Sequence, residues 1–283
     1  MFFLFMAIIS SASIALIFKY SESKGLNRYY ITSYNYVMAI IISLVLTIIQ
    51  WPGVVKIIQG STYIIWLLLL TGIPAGLFFY LSFIYYQKSV EENGATLSGM
   101  FGKLGILIPM IVSILFWREL PEKIQWMGIF LSLLGIIVVY YQPNSKTKLK
   151  LSLLMLLFYG GMADLSNKIF QKYFVMELKS LFLLILFTSA FIFSVKKAKK
   201  QVHAPKRSEL VTGFMVGLPN LLSSLFLIKA LGTVTTSLAF PIFSAGTIVL
   251  ISVGSLIFYK EKISMRGWVG IVLTISAVIL INI

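Results

Sequence analysis

Cysteine is absent from the 283 residues, and histidine and aspartate each occur once. Missing thiols exclude a disulfide framework, a thiolate metal site and a cysteine nucleophile. The single imidazole, His203, lies in a lysine-rich loop. A histidine-based metal centre or catalytic triad is therefore excluded as well, and no metal or cofactor is expected. Charge is also scarce: 12% of the residues carry one, where a soluble domain has about 25%. What charge there is leans one way, with 24 Lys and Arg against 9 Asp and Glu.

A net charge of +15 could point to nucleic acid, but such a binder gathers its cations on a solvated folded surface. Here they occupy short gaps between apolar runs, where cations flank membrane segments. Hydrophobic residues make up 59% of the chain and fall into ten blocks of near-spanning length. About 20 apolar residues cross the hydrocarbon core as a helix. By that measure the spans are 2–18, 30–50, 63–86, 95–117, 124–141, 151–173, 180–195, 210–231, 235–259 and 267–283. The first lacks the basic start of a cleaved signal peptide and reads as an uncleaved span. Tyr29, Tyr30, Tyr85, Tyr86, Trp117, Trp126, Tyr140, Tyr141, Tyr259 and Trp268 fall at span ends, as interfacial aromatics do. The expected class is an all-α, multi-pass protein of the cell membrane with no soluble domain.

A shift of 142 residues lays SILFWRELPEKIQWMGIFL (113–131) on SLIFYKEKISMRGWVGIVL (255–273), with 7 of 19 positions identical. Glu119/Glu261 and Trp126/Trp268 are among them, which apolar composition alone would not pair. A second match, GIPAG (72–76) with GLPNL (217–221), occurs at a shift of 145. Two five-helix repeats, 1–142 and 143–283, follow. Because five is odd, the second enters the membrane inverted. Inverted repeats are a signature of secondary transporters, whose substrate site lies near the midplane where the halves meet.

Each half has a Glu between its last two spans, followed by a span opening W-x-G (Trp126–Gly128, Trp268–Gly270). This pattern resembles the EamA-type branch of the drug/metabolite transporter superfamily across essentially the whole chain. The Gly-Glu common in that family is Arg118-Glu119 and Lys260-Glu261 here. The resemblance implies transport of a small metabolite, such as an amino acid, amine, sugar or nucleotide-linked compound.

Charges within a span are functional suspects by default. Asp164 is nine residues from the nearer end of span six, about 14 Å at 1.5 Å per residue. Lys103, flanked by Gly99, Gly102 and Gly105, is eight residues into span four, about 12 Å by the same rise. Both are expected to line one central cavity. Lys168 stands one turn after Asp164 and could neutralise it on the helix face or take part in coupling. Asn35, Tyr36 and Asn220 are further candidates for substrate binding. Pro74 and Pro219 hold equivalent places in spans three and eight and are expected to bend their helices toward the cavity, with a gating role. Glu119 and Glu261, at span ends, suit an interface or gate.

The function read from the residues is secondary transport of a small polar or amphipathic metabolite by alternating access, with proton coupling left open. No GxxxxGK[ST] signature offers ATP as a direct fuel. A channel is the alternative, as is an intramembrane enzyme. For the latter, the carboxylate pair of an aspartyl protease, HExxH and GxSxG are all missing. The partners implied are a small-molecule substrate and membrane lipid, not nucleic acid, with room for a homodimer. Loops after spans one, three, five, seven and nine carry 16 Lys and Arg, against 7 in the others. The charge rule thus places both termini outside the cytoplasm, whereas the family resemblance implies both inside.

Overall fold

The computed structural model describes residues 1–61, 63–140, 150–260 and 265–282. Twelve α-helices account for almost all of it: α1 Phe2–Ser23, α2 Arg28–Ile49, α3 Trp51–Gly60, α4 Tyr63–Asn93, α5 Ala95–Leu104, α6 Leu107–Trp117, α7 Lys123–Tyr140, α8 Leu151–Tyr173, α9 Lys179–Ala198, α10 Arg207–Leu231, α11 Thr236–Tyr259 and α12 Met265–Asn282. No strand occurs among the described residues. Among the described residues, six helical segments are long and apolar enough to cross a membrane: Phe2–Ser23, Arg28–Ile49, Tyr63–Asn93, Met176–Ala198, Arg207–Leu231 and Leu238–Tyr259. Helix α8 has the length, but Asp164, Asn167, Lys168, Gln171 and Lys172 dilute its apolar character. The remaining apolar blocks fall on α5 with α6, on α7 and on α12. Glu261 lies outside the described residues, as do Tyr141 and the loop cations Lys146 and Lys148.

Two local features depart from the sequence expectation. The fourth block, 95–117, is two helices and not one, broken at Gly105 and Ile106. Pro109 supplies the cause, because a proline has no N–H to return to the carbonyl four residues earlier, that of Gly105. At the same place the backbone of Gly105 meets that of Gly161 on α8, so closely that a Cβ on Gly161 would stand 2.3 Å from the Gly105 carbonyl oxygen. The second departure is α3, a ten-residue helix in what reads as a loop. Pro52 sits in its first turn, where the missing N–H costs nothing.

Contacts between helix ends sort the bundle into two ends. At the first, the Glu209 carboxylate accepts the Asn27 backbone N–H at 2.9 Å and that of Lys206 at 2.8 Å, joining the starts of α2 and α10. Arg28 pairs there with Glu91, and the Tyr30 hydroxyl donates to the His203 carbonyl. Ser152 and Lys150 donate to Glu92 at the end of α4. At the second end, Ser180 at the start of α9 donates to Gln50 after α2, and Trp117 Nε1 donates to Tyr173 Oη at 2.9 Å. The long helices thus alternate in direction. The cationic 196–207 loop lies at the first end, next to α2. On the charge rule a single cysteine placed at 203 is shielded from an impermeant maleimide in intact cells. Labelling there would reverse the orientation read from charge.

Between the ends, small residues let backbones approach, the usual means of helix association in lipid. Gly72 and Gly76 of α4 press on Ile185 and Leu186 of α9, while Gly213 and Gly217 of α10 press on Tyr34, Asn35 and Met38 of α2. Around these contacts Tyr36, Phe79, Phe170, Phe182 and Phe187 form the largest buried cluster. Backbone cannot yield as a flexible side chain does, so Gly161→Val should cost about 3 kcal/mol, the upper end of the overpacking range, and remove the monodisperse peak in fluorescence-detected size exclusion. Gly53→Ala, where a Cβ meets nothing within 4 Å, should leave that peak unchanged.

Candidate functional site

Six helices, α1, α4, α5, α8, α10 and α11, enclose a cavity of about 110 Å³. Its wall runs from Leu227 near the end of α10 and Asn220 at mid-α10 toward the first end, reaching Phe18 on α1, Tyr86 on α4 and Leu156 near the start of α8. The volume has room for several waters or one small metabolite. Glycines keep it open: a Cβ on Gly102 or Gly160 would find only ordinary contacts, and so would project into the space.

Lys103 from α5 and Asp164 from α8 both line this cavity. Their charges are close enough to interact, yet no direct ion pair joins them. Lys103 Nζ instead donates to Ser11 Oγ of α1 at 2.8 Å and stands 4.0 Å from the centre of the Phe243 ring. The α5 backbone is tethered beside it, with Ser244 Oγ of α11 donating to the Lys103 carbonyl at 3.2 Å. One turn after Asp164, Asn167 is 1% exposed, and its Oδ1 has no protein partner. Tyr86 Oη of α4 is likewise buried and unpartnered. Ser82, Ser223 and Ser224 add hydroxyls, while Phe18, Phe79, Phe83 and Ile251 add apolar surface.

The other sequence candidates stand elsewhere. Asn220 is on the cavity wall, but its Nδ2 donates to Asn35 Oδ1 at 3.0 Å, a bond that ties α10 to α2. Asn35 itself is fully buried behind that wall, and Tyr36 lies in the core beside the Phe83 and Phe187 rings. A position next to deep apolar sequence could not separate a cavity wall from a helix seam. Lys168 does not turn to Asp164. It is buried against Glu119, with Nζ 3.0 Å from Oε1, donates to Gln171 Oε1 at 3.2 Å, and lies 5.5 Å from the Trp117 ring centre. The i,i+4 spacing is compatible with the intrahelical pair, but the loop carboxylate after α6 takes the ammonium instead. Pro74 and Pro219 sit inside the continuous helices α4 and α10, and neither is on the cavity wall. Pro74 faces outward and is exposed. The expectation that they face the cavity is therefore corrected.

Sequence reading missed Ser11, Asn167, Tyr86 and Phe243. The hydroxyls and aromatics look like any others in an apolar span, and only Asn167, one turn from Asp164 on the same face, left a trace that spacing could have found.

Near the second end, Glu119 lies outside the spans, in the link from α6 to α7. Burial by itself raises its carboxyl, but the Thr236 hydroxyl beside it and the Lys168 and Lys172 charges outweigh that and hold it below the usual carboxylate range. On the other side, Lys19 of α1 stands 4.7 Å from the Tyr259 ring centre, and Tyr259 Oη donates to the Leu16 carbonyl at 2.6 Å.

Apolar helices around a charged cavity define a multi-pass membrane protein. Residues 1–141 match the EamA-like transporter family, and residues 180–274 match the Small Multidrug Resistance protein family. The chain is an EamA-type member of the drug/metabolite transporter superfamily, and so a membrane transporter. It is 25% identical over 285 residues to an uncharacterised protein of Haemophilus influenzae, across 97% of this chain and 95% of that one. A protein of known crystal structure, 14% identical, superposes with a TM-score of 0.71 over 99% of this chain and 94% of its own, a likeness of fold.

Proposed function

We propose that the protein is a secondary transporter of the cell membrane that carries a small polar or amphipathic metabolite through the central cavity by alternating access between two five-helix halves. The observation that carries this reading is the pair Lys103 and Asp164, opposite charges brought to one cavity with no direct ion pair between them. Unpaired charge in a bilayer is costly and marks a solute path.

The pattern of packing supports two related halves. Exchanging α1, α2, α4, α5–α6 and α7 for α8, α9, α10, α11 and α12 turns the contact of α2 with α10 into that of α9 with α4. It likewise turns α1 on α10 into α8 on α4, and α1 on α11 into α8 on α5 and α6, while α2 with α9 and α7 with α12 map onto themselves. Local geometry agrees at the matched sequence positions. Arg118 and Lys260 each end a helix at φ 53°, and a backbone N–H of the cap region, that of Glu119 in the first case, turns back to the carbonyl of Ser113 or Ser255. Trp117 and Tyr259, 142 residues apart, each carry a lysine over the ring, Lys168 and Lys19. On this reading the two lysine–aromatic contacts are latches at opposite ends of the path, and rocking of one half against the other opens them in turn.

Exchange in proteoliposomes tests the proposal. A carrier gives saturable uptake that rises when unlabelled substrate is loaded on the opposite side, and an imposed pH gradient drives it if protons are coupled. Flux that neither saturates nor responds to opposite-side substrate would make the protein a channel.

A further inference from the structure

We infer that a lateral groove near the first end of the bundle binds an anionic phospholipid, with its headgroup on Arg207 and an acyl chain along the groove floor. The inference needs only that the helices lie in a bilayer and is independent of transport.

The groove follows from how three helices meet. Helix α1 packs closely on both α10 and α11, which scarcely touch each other. The first is thus a floor and the other two are banks. The α11 bank is fixed where Tyr259 Oη donates to the Leu16 carbonyl at 2.6 Å, and Gly254 lets the Leu16 side chain come close. The space between the banks is about 800 Å³, toward the upper end of the usual range for a ligand site, about 300–1,000 Å³. It runs along α1 from Tyr20 to Ser13 and along α10 from Arg207 to Met215, about 10–12 Å at 1.5 Å per residue. Leu16, Ile17, Val211, Met215 and Phe258 make most of it apolar, and the Ser13 hydroxyl at the deep end is spent on the Ile9 carbonyl. Met215 and Phe258 are 54% and 73% exposed, so the groove opens sideways. In a bilayer the neighbour on that side is lipid.

Polar groups gather at the opposite end of the groove, where Tyr20, Arg207, Ser208 and Tyr259 line it. Arg207 is the only charged residue among the described lining residues. It is exposed and forms no ion pair among the described residues. A guanidinium and a phosphate make paired N–H···O bonds, which a point charge cannot. Lys19, Lys206 and Lys260 each adjoin a lining residue in sequence, while the acids Glu22 and Glu209 stand outside the lining. Glu209 is buried, with its two oxygens taken by the Asn27 and Lys206 N–H groups. The mouth of the groove is therefore cationic. A zwitterionic headgroup would set its own ammonium beside Arg207, with no carboxylate on the lining to receive it. A headgroup of net negative charge meets the guanidinium without that cost, and nearby Lys and Arg add to its attraction.

Native mass spectrometry of the purified protein tests this, with an equimolar mixture of dioleoyl phosphatidylglycerol and dioleoyl phosphatidylcholine. The two lipids share their chains and differ in net charge. Phosphatidylglycerol is expected to be retained about fivefold or more over phosphatidylcholine. Arg207→Gln should bring the ratio close to one. Lys200→Gln, in the same cationic loop but off the groove, should leave it unchanged. Met215→Trp, which crowds the path of the chain, should lower retention of phosphatidylglycerol with Arg207 still in place. All three positions are exposed, so helicity and monodispersity should hold. Equal retention of the two lipids by the wild type, a ratio unmoved in Arg207→Gln, or an equal fall in Lys200→Gln would overturn the assignment. So would full retention in Met215→Trp, which would put the lipid elsewhere, or displacement by inorganic phosphate, which would make the site one for a soluble anion.

Discussion

Asp164→Asn or Lys103→Ala should bring transport by the reconstituted protein to background, a loss of at least about 100-fold, with insertion and monodispersity intact. Removing one member of a desolvated, hydrogen-bonded charge pairing typically costs about 2–5 kcal/mol, and every 1.4 kcal/mol is about tenfold in binding. The fold should survive because both side chains project into the cavity. Lys103 loses one bond to Ser11 and a contact with the Phe243 ring, and Asp164 accepts no hydrogen bond from the described residues. Initial-rate uptake beside size-exclusion profiles checks this. Wild-type rates in both variants would remove these residues from the site.

The second large effect is expected at the far end of the path. Glu119→Gln leaves the Lys168 ammonium, whose side chain is 4% exposed, without its counter-charge. Stranding a buried charge costs about 3–5 kcal/mol. Glu119 keeps a fifth of its surface in solvent, so roughly half of that is the better expectation here. A fall of several degrees in the unfolding midpoint should follow, and Glu119→Gln with Lys168→Met should recover much of it, since no unpaired charge then remains.

The pH dependence of this contact has a definite sign. Glu119 is held below the usual carboxylate range, so its contribution is complete above the unfolded-state value near 4.3 and is lost as pH falls through the lower folded value. The midpoint difference between wild type and Glu119→Gln should therefore stay constant from about pH 7 to pH 5 and close only below that. A difference that closed near neutrality would mean Glu119 is not held this way.

Depth in the chain was legible without coordinates. Eight residues of apolar helix before Lys103 and nine after Asp164 fix how far each lies from an end, because rise per residue is constant and lipid offers nothing else to solvate a charge. Pairing was not legible. Lys168 has Asp164 at the ideal spacing, yet Glu119, 49 residues away, accepts its proton donor at 3.0 Å. Asn35 and Asn220 looked like two free amides and are partners across 185 residues. Pro74 and Pro219 looked like hinges on the cavity and stand off its wall, while Pro109, in the one block that breaks, drew no notice in the sequence.

The sequence by itself determined that this chain is helical, lies in a membrane, repeats its own pattern and buries an Asp and a Lys. Those properties depend on composition and local period, which a linear string carries in full. Only the tertiary structure decided which helix face meets the cavity and which charge meets which. Each of these depends on the rotation of one helix against another, set by close backbone contacts such as Gly105 on Gly161 and Gly217 on Asn35. An apolar helix in lipid has no wet side to betray that rotation in its sequence.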